Sequence, residues 1–241
     1  MKKFSKSKIA VISLGLLAFN ANVQANPITT LYNTGVDNTG SVVINGTSDS
    51  HYALVRNPAY DGITEISPSY GNLQAYGNTA VGGTKAITSA YGYPIVGPWL
   101  DDNGTSAWII PESGSQAIAF FDYQTTFSLT GFNSRTAAIS GQWSTDNLGV
   151  DIILNGHNLG FQNTSQYPSW TAFSIDNSIA SSYYLAGVNT LDFIVKNDGE
   201  PTGLRVEMAG TASPVPVPAA IWMFVSGLIG LGATMRKKAQ A

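Results

Sequence analysis

Apolar and polar residues alternate along much of the second half of the chain. Between Phe121 and Leu129, one face holds mostly aromatic and apolar residues and the opposite face holds Asp122, Gln124, Thr126 and Ser128. A repeat of two residues is that of a β-strand with one buried face. The same alternation predicts strands over residues 138–143, 150–154, 191–196 and 204–208. Short strands at such spacing predict an all-β sandwich or jelly roll.

The other elements leave weaker signals. Asn155-Gly156 indicates a hairpin, and residues 177–186 predict at most one turn of helix. Short strands are predicted over residues 31–44 and 51–55. Residues 57–88 are rich in Gly, Asn, Ser and Tyr without periodicity, and are predicted to form long loops.

The N-terminal 25 residues have the three parts of a signal peptide. A basic start is followed by an apolar run from Ile9 to Phe19 and by the small-residue site Val23-Gln24-Ala25. We expect signal peptidase to cut between Ala25 and Asn26, so that residues 1–25 are removed. The alternative is an uncleaved N-terminal anchor, for which the apolar run is short.

The C-terminus carries a second apolar segment. A Pro-rich linker over residues 211–218 leads into about 17 uncharged residues from 219 to 235, and Arg236, Lys237 and Lys238 lie in the basic tail 236–241. The segment predicts a transmembrane helix that is short against the roughly 20 residues a bilayer needs. Basic residues favour the cytoplasmic side, which leaves residues 26–210 outside the cell membrane.

The start of this segment resembles a known sorting signal. The matching residues are Val215, Pro216, Pro218, Ala219, Ala220 and Trp222, followed by Arg236, Lys237 and Lys238. They resemble the PEP-CTERM signal of exopolysaccharide-producing bacteria, in a variant with Val217 where glutamate is commonest. The resemblance implies an exosortase-type partner that removes the helix and leaves the domain at the cell surface or in the extracellular matrix. The alternative is an ordinary tail anchor that stays in the membrane.

Without the two terminal segments, the remaining domain has a much more negative net charge than the whole chain. Of the 12 Lys and Arg, four precede residue 9 and three follow residue 235, whereas all 15 Asp and Glu lie between, so the exported domain carries a net charge of about −10. Such a surface repels phosphate backbones, which excludes nucleic acid as a partner. Neutral polysaccharide, a Ca²⁺-bridged matrix and cationic partners remain open. The chain has no cysteine, which excludes disulfides and thiol catalysis.

A second resemblance concerns the domain itself. The strings 141–156, 189–195 and 203–207, with Gly160 between them, look like galactose-binding-like jelly rolls. The similarity spans roughly residues 107–210 and concerns the scaffold more than ligand contacts. It implies a jelly-roll β-sandwich in a superfamily that includes sugar-binding domains appended to glycoside hydrolases.

Aromatic residues in loops are the candidates for sugar contact, because an aromatic face packs against the apolar side of a pyranose. Trp99 beside Pro98, and Trp170 after Tyr167-Pro168, are the main candidates, with Tyr167 and His157 as further ones. Trp108 and Trp143 lie in strand patterns and are expected in the core. Asp101, Asp102 and Asn103 form a turn that is a weak candidate for Ca²⁺, and no other metal or cofactor is predicted.

The sequence contains few of the residues and motifs that are typical of enzymes. His51 and His157 are the only histidines, and neither a Gly-x-Ser-x-Gly nor a His-Glu-x-x-His motif occurs. We therefore predict no enzyme, although a glycosidase needs only two carboxylates, for which Glu112, Asp122 and Glu207 are the candidates. The sequence favours an exported protein that binds extracellular polysaccharide. The alternative is a surface protein that associates with its own copies and binds no glycan.

Overall fold

The computed structural model describes residues 24–44, 46–55, 73–75, 99–100, 103–111, 118–180, 182–199 and 202–216. These residues form short and long β-strands with one turn of α-helix, α1 (Asn177–Ala180). The strands are β1 (Asn26–Pro27), β2 (Tyr52–Val55), β3 (Leu73–Ala75), β4 (Ile109–Pro111), β5 (Ala119–Ser128), β6 (Ala138–Asp146), β7 (Leu148–Leu154), β8 (His157–Asn158), β9 (Thr171–Ile175), β10 (Val188–Asn197) and β11 (Gly203–Ala212).

The strands pair into two antiparallel sheets. The first sheet has the order β3-β4-β11-β6-β9 with β1 also paired to β11, and the second has the order β2-β5-β10-β7-β8. From β4 to β11 the chain crosses to the other sheet after every strand except β7, which turns directly into β8. The resulting orders β4-β11-β6-β9 and β5-β10-β7-β8 are those of a jelly roll. The predicted all-β jelly roll is therefore confirmed by the order of the strands.

Apolar side chains from both sheets fill the space between them. Trp143 of β6 is fully buried and packs against Phe193 of β10, with ring centroids 5.8 Å apart. Phe121 and Tyr123 of β5 are fully buried as well, as the alternation in the sequence predicts. Opposed aromatic rings of this kind join the two sheets across the core.

The strand pairings define the two ends of the sandwich, which we call the far end and the exit end. At the far end, β11 begins at Gly203 beside Asp146, the last residue of β6. At the exit end, β11 finishes beside the start of β6, and β5 ends at Ser128 opposite Val188, the first residue of β10. The last described residues, up to Pro216, lie at this exit end, because Val215 donates its N–H to the carbonyl of Gly131.

Several expectations from the sequence are corrected. Residues 31–44 are not a strand, because positive φ angles at Gly35 and Gly40 turn the chain and only an isolated bridge joins Val36 to Val42. Residues 73–75 form β3 within a stretch predicted to be loops. The single turn of α1 and the strand at residues 52–55 are confirmed.

The two export segments fall largely outside the described residues. Ala25 and Asn26 are described and exposed, with β1 starting at Asn26, whereas the rest of the predicted signal before residue 24 is outside. Of the sorting motif, Val215 and Pro216 are described, and Pro218, Ala219, Ala220, Trp222, Arg236, Lys237 and Lys238 lie outside. In the described part of the chain, no helix is long and apolar enough to cross a membrane.

Candidate functional site

The outer face of the first sheet presents an open floor of small side chains. Ala172 and Ser174 of β9, Ser140 of β6 and Ala209 of β11 are all exposed. Their neighbours along each strand point into the core, as alternation requires. Since no bulky side chain rises from these positions, a flat strip of sheet is left open to solvent. We call it the floor.

Two segments cover the far half of the same face. The described residues 99–100 and 103–107 precede Trp108 and β4, and segment 163–170 precedes β9. The N–H of Leu100 donates to the carbonyl of Tyr167 over 2.9 Å, which joins the two segments. Beneath them Trp108 and Ile110 are buried in a small cluster outside the main core, with Trp99, Leu100 and Tyr167 packed against it. Trp99, Trp108 and Tyr167 therefore border one end of the floor. Together with Trp170, at the end of the second segment, we call them the wall.

Asn163 holds the second segment in place. Its side-chain oxygen accepts hydrogen bonds from the N–H of Gln166 and the hydroxyl of Thr171, and its amide donates to the carbonyl of Trp143. Its backbone N–H and C=O both pair with Gly149. A fully buried asparagine with these hydrogen bonds fixes the backbone of the residues that lead to Trp170.

A buried arginine lies at the centre of the wall. Arg205 projects outward from β11 but is fully buried by the two covering segments. Its Nε donates to Ser106 Oγ over 2.8 Å, and its Nη1 donates to the carbonyl of Leu100 over 3.3 Å. The guanidinium lies 4.9 Å from the centre of the Trp170 ring, a cation–π contact that orients the indole.

Glu207 connects this wall to the floor. One carboxylate oxygen accepts hydrogen bonds from Asn103 Nδ2 at 2.5 Å and Ser106 Oγ at 2.9 Å, and lies 3.7 Å from Nη2 of Arg205. The other oxygen accepts from Gln142 Nε2 at 2.9 Å. The Glu207 side chain is 16% exposed, so a fixed polar group borders the floor beside the aromatic wall.

Trp99 is tied to the far end of the sheet. Its indole Nε1 donates to Oδ2 of Asp146 over 2.8 Å, and its ring packs on Trp108 with centroids 4.4 Å apart. Burial raises the pKa of Asp146 to about 7, and the hydrogen bond from Trp99 opposes this shift. Oδ1 of the same carboxylate is buried and has no hydrogen-bond partner among the described residues.

The structure gathers three of the four aromatic candidates. Trp99 and Tyr167 pack against Trp108 and Ile110, and Trp170 lies over Arg205, which donates to the carbonyl of Leu100. All three are half-buried, whereas His157 lies on β8 in the other sheet. The His157 ring stacks on Tyr183 with centroids 4.0 Å apart. Sequence reasoning missed Arg205 and Gln142, whose only signal was an outward position in an alternating strand.

The structure describes only one of the three residues that were candidates for binding Ca²⁺. Asp101 and Asp102 lie outside the described residues, and Asn103 uses its side chain to bond Glu207 and the N–H of Thr105. In the part of the chain that the structure describes, no three His, Asp or Glu side chains converge as a metal site requires.

Two of the proposed carboxylates cannot act as a pair. Asp122 and Glu207 point outward from opposite sheets, whose spacing of about 10 Å already exceeds the reach of a glycosidase pair. Glu112 falls outside the described residues.

Comparison with known proteins gives little further guidance. No protein-family model matches the chain, and no curated protein matches it. Among solved structures it is similar to the CBM36-1 domain of a multidomain xylanase from the hindgut metagenome of Trinervitermes trinervoides, with 18% identity, a TM-score of 0.27 and coverage of 40% of this chain and 73% of that chain. It is also similar to CBM35 from Paenibacillus barcinonensis, with 16% identity, a TM-score of 0.29 and coverage of 46% and 83%. Both TM-scores are low, so the jelly roll is assigned from the strand order alone.

Proposed function

We propose that this is an exported, non-catalytic protein of the cell surface or extracellular matrix, whose jelly roll binds neutral polysaccharide on the outer face of the first sheet. Residues 1–25 direct export, and the apolar segment 219–235 holds the protein in the membrane until an exosortase-type enzyme removes it. The observation that carries the binding proposal is the floor of small exposed residues that ends at the wall of Trp99, Tyr167 and Trp170.

The floor and wall have the chemistry that a sugar chain requires. A half-buried indole such as Trp170, held in position by Arg205, presents an apolar surface to a pyranose ring. Gln142 and Glu207 at its edge supply an amide and a carboxylate for sugar hydroxyls. A flat floor allows neighbouring sugar units of an extended chain to approach the sheet.

The charges favour a neutral glycan over an acidic one. Arg205 is buried under Trp170 and already donates to Ser106 and Leu100, so its guanidinium does not face the floor. Glu207 is paired with that guanidinium, so the two leave no free positive charge at the floor. The exported domain has a net charge of about −10, which would repel a polyanionic chain.

The binding proposal predicts a specific role for Trp170. We expect Trp170→Ala in the full-length protein to weaken binding to an insoluble neutral polysaccharide by about 10- to 100-fold, as loss of a buried aromatic anchor does. Co-sedimentation with a panel of glucans, xylans and galactans measures this effect. His157→Ala, which removes an exposed ring in the other sheet, is the matched control and should leave binding unchanged.

Two outcomes would contradict the binding proposal. Retention that is the same in Trp170→Ala, Trp99→Ala and the native protein would place the sugar elsewhere. No retention on any polysaccharide, together with oligomers in analytical sedimentation, would favour the self-associating surface protein instead.

The sorting proposal predicts two changes in mass. Protein recovered from its producing cells should begin at Asn26 and should lack the segment 219–235, because signal peptidase and an exosortase-type enzyme have each acted. Intact-mass measurement checks both events and detects any group transferred to the new C-terminus. A mass that ends at Ala241 would indicate a permanent tail anchor.

A further inference from the structure

Exposed apolar side chains gather at the exit end of the sandwich. Six large apolar residues of the described chain are exposed, and four of them lie at this end. They are Ile179 at 43%, Leu185 at 52%, Val188 at 66% and Val215 at 54% exposure. Since burial of apolar surface is favourable, a cluster of this kind marks a contact surface.

Hydrogen bonds place three of these residues around the point where the chain leaves the domain. Val188 pairs with Ser128 at the start of β10. Leu129 donates its N–H to the carbonyl of Gly187, two residues after Leu185, and the carbonyl of Gly131 accepts the N–H of Val215. Leu185, Val188 and Val215 are therefore neighbours of one turn, residues 128–132.

The exit end is also almost free of charge. Segments 24–30, 49–51, 128–138, 154–158, 175–180, 182–188 and 211–216 contain only Arg135, Asp176 and the buried Asp49 as charged residues, although the exported domain holds 15 acidic ones. The stacked pair of His157 and Tyr183 lies at the same end, since Asn155 Nδ2 donates to the carbonyl of Tyr183. Tyrosine is enriched where proteins meet the headgroup layer of a bilayer.

The length of the chain beyond Pro216 limits how far this end can stand from a membrane. Val217 and Pro218 alone separate Pro216 from the apolar segment 219–235. Even fully extended, the chain from Pro216 to Ala219 spans at most about 11 Å. An apolar segment in the bilayer would hold the exit end within that distance of its surface.

We infer that the exit end is a membrane-contact surface, on which Leu185, Val188 and Val215 rest in the headgroup layer of a bilayer. The inference rests on the proposed function in one respect, namely that segment 219–235 enters the membrane. It adds an orientation, because the aromatic wall lies toward the far end and so faces away from the lipid. Between Ala138 and Ser144 on β6 the sheet rises about 20 Å toward that wall.

The absence of cysteine from the chain makes a direct test possible. Single cysteines at Leu185→Cys, Val188→Cys and Ile118→Cys are labelled with a polarity-sensitive fluorophore in the full-length protein, which is then reconstituted into phosphatidylcholine vesicles. Ile118 is the matched control, because it is 65% exposed against 66% for Val188. It precedes the 10-residue strand β5 and so lies about 30 Å from the exit end.

The labels at residues 185 and 188 should shift to shorter emission wavelength and be quenched severalfold more by spin-labelled lipid than the label at residue 118. Vesicle flotation separates the possible failures. Protein that does not float with the vesicles overturns both the membrane role of segment 219–235 and the contact surface. Protein that floats while all three labels behave alike overturns the contact surface only.

A second copy of the chain is the competing occupant of this surface. Its contribution is measured by lowering the protein-to-lipid ratio below one chain per vesicle. A shift that persists at this ratio supports contact with lipid. A shift that disappears there means that another copy covers the exit end, and overturns the inference.

Discussion

Arg205→Ala is expected to lower the free energy of unfolding by about 3–5 kcal/mol, the range for breaking a buried charge pair from one side. The substitution removes the donors to Ser106 and to the carbonyl of Leu100, and the cation under Trp170. It also removes the positive partner of Glu207 and leaves a void beneath the covering segments. Denaturant unfolding of the full-length protein, followed by tryptophan fluorescence, measures the loss.

Two further variants separate charge from geometry at this position. Arg205→Lys keeps the charge but loses the planar guanidinium, so we expect an intermediate loss. Arg135→Ala removes an exposed arginine and should change stability by no more than about 0.5 kcal/mol. If Arg205→Ala matched Arg135→Ala, the covering segments would not be held by the guanidinium.

Arg205 also shows where sequence reasoning stops. In the sequence it occupies an ordinary outward position between the core residues Leu204 and Val206. Only residues 99–100, 103–107 and 163–170, folded over β11, turn that position into a buried one. Periodicity reports which side of a strand a residue takes, and it carries no information on what covers that side.

The strands of the second half could be predicted because their inner faces are buried, and burial of one face is what alternation reports. In β5, alternation places Phe121 and Tyr123 on the inner face, and inward burial is what the pattern records. The crossing of successive strands between sheets leaves no trace in periodicity. The jelly roll was therefore expected from the resemblance of residues 141–156 and 189–195, and the strand order confirms it.

The first part of the chain was predicted poorly because side chains satisfy its backbone. Asp49 accepts hydrogen bonds from the N–H groups of Gly35, His51 and Tyr52, and Asp37 accepts from those of Thr39 and Ser41. Such bonds replace a ladder between strands. Apolar residues in this stretch therefore suggested a strand that the backbone does not form.

Trp99 and Trp170 were predicted as sugar-contact candidates because they occur in loops, outside the alternating stretches, and the structure brings both to one wall. His157, which was also a candidate, lies apart from them on β8, directly after the Asn155-Gly156 turn. The distinction between them depends on which sheet each loop covers, which is set by topology.

Asp146→Asn is expected to stabilise the protein at pH 8 and to have little effect near pH 4. Burial raises the pKa of Asp146 to about 7, so the folded protein favours the protonated carboxyl. The stability that this group contributes is complete below its unfolded pKa near 4, and is lost as the pH rises to about 7. At pH 8 the buried carboxylate costs on the order of 4 kcal/mol, which asparagine avoids while its oxygen still accepts from Trp99.

Denaturant unfolding at several pH values between 3 and 8 tests this expectation, and Asp176→Asn provides a control of opposite sign. Asp176 is exposed, and hydrogen bonds from Ser178 hold its pKa below the usual value. Its stabilising contribution is present at neutral pH and lost in acid, so Asp176→Asn should destabilise at pH 8 rather than near pH 3. A difference between Asp146→Asn and the native protein that stays constant from pH 4 to 8 would mean that Asp146 does not titrate in this window.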